Sequence, residues 1–105
     1  MTITYEDVVK AQQTQNKVIR KTNLEFSETF SKICGANVYL KNEYEQKTGS
    51  FKIRGAYYKI KSLTDDEKNK GVVAASAGNH SQGVAFASHI ENIPCTIVMP
   101  KNASP

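Results

Sequence analysis

The chain has 105 residues, of which 39% are hydrophobic, so it is long enough for one small folded domain and too apolar to remain disordered. Its 14 Lys and Arg are interleaved with 10 Asp and Glu, which argues against a basic nucleic-acid-binding surface despite the net charge of +4. Cys34 and Cys95 lack metal-ligand spacing and the first residues lack a signal-peptide pattern, so we expect a cytoplasmic protein with reduced thiols, no metal and no membrane association.

The first predicted element is a helix from Tyr5 to about Arg20. Thr4 followed by Asp7 is a capping-box pattern, with hydrophobic residues placed to staple the first turn. Glutamines in the middle of this helix leave it only a thin apolar face, which is typical of a helix on the outside of a larger body. A polar stretch follows around Lys21 to Ser31, and Val38–Leu40 is the first predicted strand.

A second predicted helix runs from Phe51 to about Leu63, after a turn at Thr48–Ser50. Its apolar residues recur at helical spacing, and Gly55 is expected to permit the close approach of a neighbouring element. This prediction places Lys52 in the first turn of a helix.

The remaining elements predict a parallel crossover unit. A second capping box at Thr64–Glu67 opens a short helical turn, after which Val72–Ala75 reads as a strand, Asn79–Ile90 as a helix and Cys95–Met99 as a second strand. Strand, helix and strand at this spacing indicate an α/β fold with an open parallel sheet and flanking helices. Because the sequence stops directly after an apolar strand, we expect residues 1–105 to be the amino-terminal part of an incomplete domain.

Lys52 is the first candidate for chemistry. A lysine at a helix amino terminus feels the positive end of the helix dipole, which disfavours its protonation and makes the free amine more available as a nucleophile. The alternative is an ordinary solvated lysine on the surface.

The segment Ser76–Gly83 is the second candidate, at the carboxyl end of the Val72 strand. Open α/β sheets bind ligands at this edge, and the N–H groups of a small-residue turn at a helix start suit a carboxylate or phosphate. The alternative is a tight turn in which Asn79 caps the helix and His80 is merely solvated. The glycine spacing is neither the dinucleotide-binding nor the Walker type.

Together, Thr48–Ala56 and Ala75–Ala85 resemble the lysine and asparagine motifs of the threonine dehydratases (threonine ammonia-lyases), a branch of the fold-type II pyridoxal-phosphate enzymes. The resemblance implies a tryptophan synthase β-like fold and pyridoxal 5'-phosphate as the cofactor. It also makes Lys52 the catalytic, Schiff-base lysine, Phe51 a neighbour of the cofactor ring and Asn79 the donor to the cofactor's phenolic oxygen. The implied binding site for the substrate carboxylate is the turn that contains Ser76, Ala77, Asn79 and His80.

Three positions narrow the choice within this family. Ile53 and His80 stand where the threonine synthase and cysteine synthase branches usually have Asp and Thr, which favours the dehydratase and racemase branch. Ala77 stands where serine racemases typically carry a serine that serves as acid or base, and alanine has no proton to give. The expected reaction is the deaminating dehydration of L-threonine and L-serine to a 2-oxo acid and ammonia. The alternatives are a serine or aspartate racemase, a β-replacement enzyme, or a non-catalytic fragment.

The glycine-rich loop that cradles the cofactor phosphate in this family has no counterpart in this sequence. We therefore expect residues 1–105 alone to be inactive. The resemblance also implies that the full-length enzyme acts as a homo-oligomer on a small amino-acid substrate. His80 is either a general acid or an orienting residue.

Overall fold

A computed structural model describes residues 2–104 of the chain. Its elements, in chain order, are α1 (Tyr5–Gln15), β1 (Leu24–Phe26), α2 (Glu28–Cys34), β2 (Tyr39–Lys41), a 3-10 helix (Glu43–Glu45), α3 (Lys52–Lys61), α4 (Asp65–Lys70), β3 (Val72–Ala75), α5 (Asn79–Ile90) and β4 (Cys95–Val98). Helices and short strands alternate along most of the chain and the strands form two small sheets, so the predicted α/β class is confirmed.

The hydrophobic core lies between α3, α5 and the strands β3 and β4. Its buried members are Ala56, Tyr57, Ile60, Val84, Ala87 and Ile93. Ile53, one turn before Ala56 on α3, is completely buried. The apolar stripe that predicted α3 therefore faces the core.

Strands β3 and β4 form the predicted parallel pair. Val72 lies beside Cys95 and Ala75 beside Val98, with α5 as the connection between the strands. The chain turns from α5 into β4 through Asn92, which has a positive φ of 54°, and Pro94. This half of the molecule confirms the strand–helix–strand unit predicted from its spacing.

Helix α1 begins with the predicted capping box, in which Asp7 N–H donates to the Thr4 hydroxyl and the Asp7 carboxylate accepts from Thr4 N–H. Its predicted end at Arg20 is wrong, because the helix stops at Gln15. There the N–H of Val18 donates to the carbonyl of Gln15 over 2.8 Å, and the turn lets Val18 pack against the core. The helix thus ends before the segment in which the partly buried Val18 meets the core.

The sequence indicated no helix or strand in the polar stretch around residues 21–31, yet β1 and the start of α2 lie there. Strand β1 pairs antiparallel with β2, with Phe26 beside Tyr39, and the two rings meet edge-on at 5.5 Å between centroids. Ser27 caps α2 by accepting from Phe30 N–H. Strand β2 is offset by one residue from its predicted position.

Three smaller predictions near the core need correction. Helix α3 ends at Lys61 and β4 at Val98, each short of its predicted end. Gly55 was expected to admit a close neighbour, yet a Cβ built there would meet nothing within 4 Å. The close approach in this part of the fold occurs instead at Gly83, on α5.

Candidate functional site

The loop before α3 determines where Lys52 lies. Gly49 adopts φ of +72°, a left-handed conformation that favours glycine, and its N–H donates to the carbonyl of Gln46 over 2.8 Å. The buried Ser50 hydroxyl then accepts from Lys52 N–H at 3.4 Å. Lys52 lies in the first turn of α3, as predicted, although the helix begins at Lys52 and not at Phe51.

The Lys52 ammonium group is at the protein surface and lies 5.3 Å from the centroid of the Phe51 ring. Phe51 itself is 58% exposed, directly before the helix rather than within it. Within residues 2–104, the Lys52 ammonium forms no ion pair and donates no hydrogen bond. The amine is therefore accessible, with an aromatic ring beside it.

The Ser76 turn joins β3 to α5 and is held by its own side chains. Ser76 N–H donates to the carbonyl of Val98 over 3.0 Å, which ties the turn to the end of β4. The Ser76 hydroxyl accepts from the N–H groups of Gly78 and Ser81 at 3.3 Å each. Gly78, and not Asn79, is the capping residue of α5, so the interpretation of Asn79 as a structural cap is wrong.

The amino terminus of α5 presents unused hydrogen-bond donors. No side chain caps the helix, and in the described part of the chain the N–H groups of Ala77, Asn79 and His80 have no acceptor. All three residues are exposed, while Ser76 is half-buried. Together with the positive end of a 12-residue helix, these N–H groups can donate hydrogen bonds to a carboxylate.

Helices α3 and α5 bring the two segments together. A Cβ built on Gly83 would lie 3.1 Å from the carbonyl carbon of Lys52 and 3.2 Å from its oxygen. Gly83 is four residues after Asn79 on α5, so the helix that begins at the donor-bearing turn packs directly against the Lys52 backbone.

The sequence did not predict an ion pair between Glu43 and Arg54, two residues after Lys52. Arg54 donates through Nε and Nη2 to the two carboxylate oxygens of Glu43, over 2.8 and 2.7 Å. The Thr22 hydroxyl donates to the same carboxylate at 2.5 Å. The hydrogen bonds from Arg54 lower the pKa of Glu43 to about 2. The only sequence signal was the position of Arg54 inside the lysine motif.

The amide side chain of Gln15 continues this network. It is buried and donates to the carbonyl of Arg54 over 2.8 Å. The glutamines, which leave α1 only a thin apolar face, therefore include one that attaches the helix to the backbone of α3. Through Gln15, Thr22 and Glu43, the amino-terminal part of the chain is attached two residues away from Lys52.

The far ends of α3 and α5 are joined by a second polar cluster. Glu91 accepts from the Tyr57 hydroxyl at 2.7 Å and from the Lys61 ammonium at 2.8 Å. Burial and then the hydrogen bond to Glu91 raise the pKa of Tyr57, and the bond from Lys61 lowers the pKa of Glu91. The two helices are thus fixed to each other at the end opposite Lys52.

The described residues contain neither a membrane-spanning helix nor a cluster of metal-binding side chains. None of the helices between residues 2 and 104 is both long and apolar enough to cross a membrane. The same residues contain no group of three or more His, Cys, Asp or Glu side chains placed to hold a metal ion.

Several curated proteins are similar to this chain. It is 56% identical over 101 residues to the L-threonine ammonia-lyase of Thermotoga maritima, covering 96% of this chain and 25% of that protein. It is 48% identical to the catabolic L-threonine dehydratase of Escherichia coli K12, covering 96% of this chain and 31% of that protein. The chain therefore spans about a quarter to a third of the length of these relatives.

Solved structures of related enzymes share the fold. The serine racemase of Dictyostelium discoideum matches with a TM-score of 0.91 and 40% identity, over 99% of this chain and 34% of that one. The threonine deaminase of Solanum lycopersicum matches with a TM-score of 0.78 and 36% identity, over 100% and 30% of the two chains. The sequence pattern of the pyridoxal-phosphate dependent enzymes matches residues 16–105. The chain belongs to the family of pyridoxal-phosphate dependent enzymes.

Proposed function

We propose that this chain carries the cofactor lysine and the carboxylate-binding turn of a threonine dehydratase. The reaction would convert L-threonine to 2-oxobutanoate and ammonia, and L-serine to pyruvate and ammonia. The observation that carries the proposal is the packing of α5, which begins at the Asn79 turn, against the backbone of Lys52. The 56% identity to a threonine ammonia-lyase supports the choice of reaction.

The chemistry of the available groups fits pyridoxal phosphate. Lys52 offers an exposed amine without an ion pair or a hydrogen bond among residues 2–104, and an accessible amine is what a Schiff base with an aldehyde would require. The exposed Phe51 ring lies beside that amine and would contact the cofactor ring. The Asn79 amide would donate to the phenolic oxygen of the cofactor. When bound, the cofactor supplies a conjugated ring that accepts the electrons released at the substrate Cα.

The residues of this chain would perform the remaining steps. The N–H groups of Ala77, Asn79 and His80, with Ser76 in the same turn, hold the substrate carboxylate and orient the Cα–H bond. The Lys52 amine, when free, would act as the base that removes the Cα proton of the substrate. Loss of the β-hydroxyl as water would follow, with His80 orienting the substrate or donating a proton to that hydroxyl. Hydrolysis of the released enamine by water would then give the 2-oxo acid and ammonia.

A direct test uses the protein encoded by the complete gene. We expect the purified protein to show the near-visible absorption of bound pyridoxal phosphate and to form 2-oxobutanoate from L-threonine. Lys52→Ala should abolish both properties. Lys59→Ala is the matched control, because Lys59 is an exposed lysine two turns further along α3. Unchanged absorption and turnover after Lys52→Ala would contradict the proposal, and no turnover in the unmodified protein would favour a non-catalytic binding module.

A racemase is the second candidate, because the Dictyostelium discoideum serine racemase has the same fold at a TM-score of 0.91. The side chain of Ala77 argues against it, since its methyl group can neither donate nor accept a proton. Incubation with L-serine separates the two reactions. Pyruvate is the expected product, and accumulation of D-serine without pyruvate would establish the racemase instead. A β-replacement enzyme would require a second, nucleophilic substrate for turnover.

We further propose that residues 1–105 are the amino-terminal part of a catalytic domain that works as a cytoplasmic homo-oligomer. The share of the relatives that the chain spans supports the first part of this proposal. When residues 1–105 are expressed alone, we expect weak retention of the cofactor and negligible turnover of L-threonine, because no glycine-rich phosphate cradle occurs in these residues. Robust 2-oxobutanoate formation by that polypeptide would contradict this expectation.

A further inference from the structure

We propose that Gly83 is a positioning residue, which sets the spacing between Lys52 and the turn at the start of α5. The inference rests on the proposed function of these two segments. Its basis is the closeness of α5 to α3 at this one position. A Cβ on Gly83 would lie 3.1 Å from Lys52 C, 3.2 Å from Ile53 N and 3.2 Å from Lys52 O.

The atoms that Gly83 faces are backbone atoms, which cannot rotate aside as a side chain can. All three belong to the peptide unit between Lys52 and Ile53, and Ile53 is completely buried. A side chain could rotate to admit a methyl group, whereas this peptide unit could shift only if the first turn of α3 moved. Alanine at position 83 must therefore separate α5 from the Lys52 turn by a few tenths of an ångström.

The direction of that movement follows from the opposite ends of the two helices. Glu91 holds α5 to Tyr57 and Lys61 of α3 through hydrogen bonds of 2.7 and 2.8 Å. With that end fixed, a methyl group at position 83 increases the distance between α3 and α5 at the end where Lys52 lies. The Asn79 turn is one helical turn before Gly83 and would move with it.

The consequence is expected in the site more than in the fold. The amine of Lys52 and the N–H groups of the Asn79 turn must hold two parts of one cofactor–substrate unit, so their separation affects the alignment of the reacting atoms. Alanine also has a higher helix propensity than glycine, which offsets part of the packing loss in the folding equilibrium. Cofactor binding and turnover should therefore change more than stability.

Gly55 provides a matched control on the partner helix. Like Gly83, it lies inside a helix and outside the left-handed region of φ. A Cβ built on Gly55 meets nothing within 4 Å. Gly55→Ala thus makes the same chemical change without the contact on the Lys52 peptide.

The experiment compares Gly83→Ala, Gly55→Ala and the unmodified protein, each as the cofactor-loaded product of the complete gene. For Gly83→Ala we expect roughly ten-fold weaker retention of pyridoxal phosphate, an altered circular dichroism band of the bound cofactor and a kcat about ten-fold lower. The melting temperature should change by only a few degrees. Gly55→Ala should match the unmodified protein in cofactor retention, cofactor band and kcat.

Two results would overturn the inference. One is a Gly83→Ala protein with unchanged cofactor band, cofactor retention and kcat, and the other is an equal loss in Gly55→Ala. If Gly83→Ala folds poorly, the double variant Gly55→Ala/Gly83→Ala adds helix propensity at a position with free space, which offsets part of the packing loss. Its comparison against Gly55→Ala alone then tests the same contact. These outcomes are distinct from a failure of the proposed function, which would appear as an unmodified protein without cofactor absorption or turnover.

Discussion

Two regions of this molecule are held together by different forces. The helix pair α3–α5 packs through buried apolar side chains, with Ile53 and Ala87 completely buried. The amino-terminal arm, comprising α1, β1, α2 and β2, exposes most of its large apolar side chains, including Phe26 and Ile33. It joins the rest of the fold largely through polar contacts of Gln15, Gln46 and Glu43, so chemically identical substitutions should have unequal effects in the two regions.

The largest difference is expected between two isoleucines. Ile53→Ala removes a completely buried side chain and should lower the free energy of unfolding by about 3 kcal/mol. Ile33→Ala makes the same change on α2, where the side chain is 73% exposed, and should change it by no more than about 0.5 kcal/mol. Urea unfolding of the protein encoded by the complete gene measures both values. Equal losses would show that the face around Ile33 is covered in that protein.

A smaller loss is expected from the ion pair that attaches the arm. Glu43→Gln should lower the free energy of unfolding by about 2 kcal/mol, because Arg54 and the Thr22 hydroxyl lose a shared, largely buried carboxylate. Asp66→Asn is the control, since Asp66 pairs with Lys70 in full exposure on α4 and should change the value by less than about 0.5 kcal/mol. A Glu43→Gln loss as small as the control would show that the pair contributes little to attachment.

The same carboxylate predicts a pH dependence. The folded pKa of Glu43, about 2, lies below its ordinary value of 4.5, so its stabilising contribution is complete above pH 4.5 and is lost as pH falls toward 2. Glu43→Gln should therefore show a shallower loss of stability in that window than the unmodified protein. Denaturant midpoints between pH 5 and pH 2 test this, and parallel curves would contradict the assignment of the shift to Glu43.

The smallest effect concerns Gln46, which is buried and exchanges hydrogen bonds with the backbone N–H and carbonyl of Arg20 over 2.7 and 2.8 Å. Gln46→Ala should cost about 1 kcal/mol, because two backbone groups lose their partner. Gln12→Ala, at an exposed position of α1, should leave unfolding nearly unchanged. Thermal or urea unfolding compares the pair, and indistinguishable transitions would mean that water replaces the amide without loss.

The core half of the fold was predictable from the sequence because its signals are local. The apolar stripe through Ile53 and Ile60 and the compact run Val72–Ala75 each indicate one kind of element. Strand β1 gave no comparable signal, since three residues, Leu24–Phe26, become a strand only by pairing with β2. Local patterns do not show which distant segment a short strand will meet.

The candidate site shows the same limit. The helix-start positions of Lys52 and Asn79 followed from the sequence and are observed. The sequence did not show whether α3 and α5 approach each other at Gly55 or at Gly83, because this depends on how the two helices cross. The partnership of Glu43 with Arg54 likewise spans two elements, and its members read separately as ordinary surface charges.

The bond from Ser76 N–H to the Val98 carbonyl has a consequence for ligand recognition. This hydrogen bond ties the turn, whose amides we propose bind the substrate carboxylate, to a parallel strand, and the Ser76 hydroxyl accepts from two N–H groups of the same segment. A carboxylate arriving there would meet a preorganised receptor. Little conformational entropy of the protein would then be lost on binding. Because every amino acid has the same carboxylate, selection among amino acids would depend on the residues around their side chains.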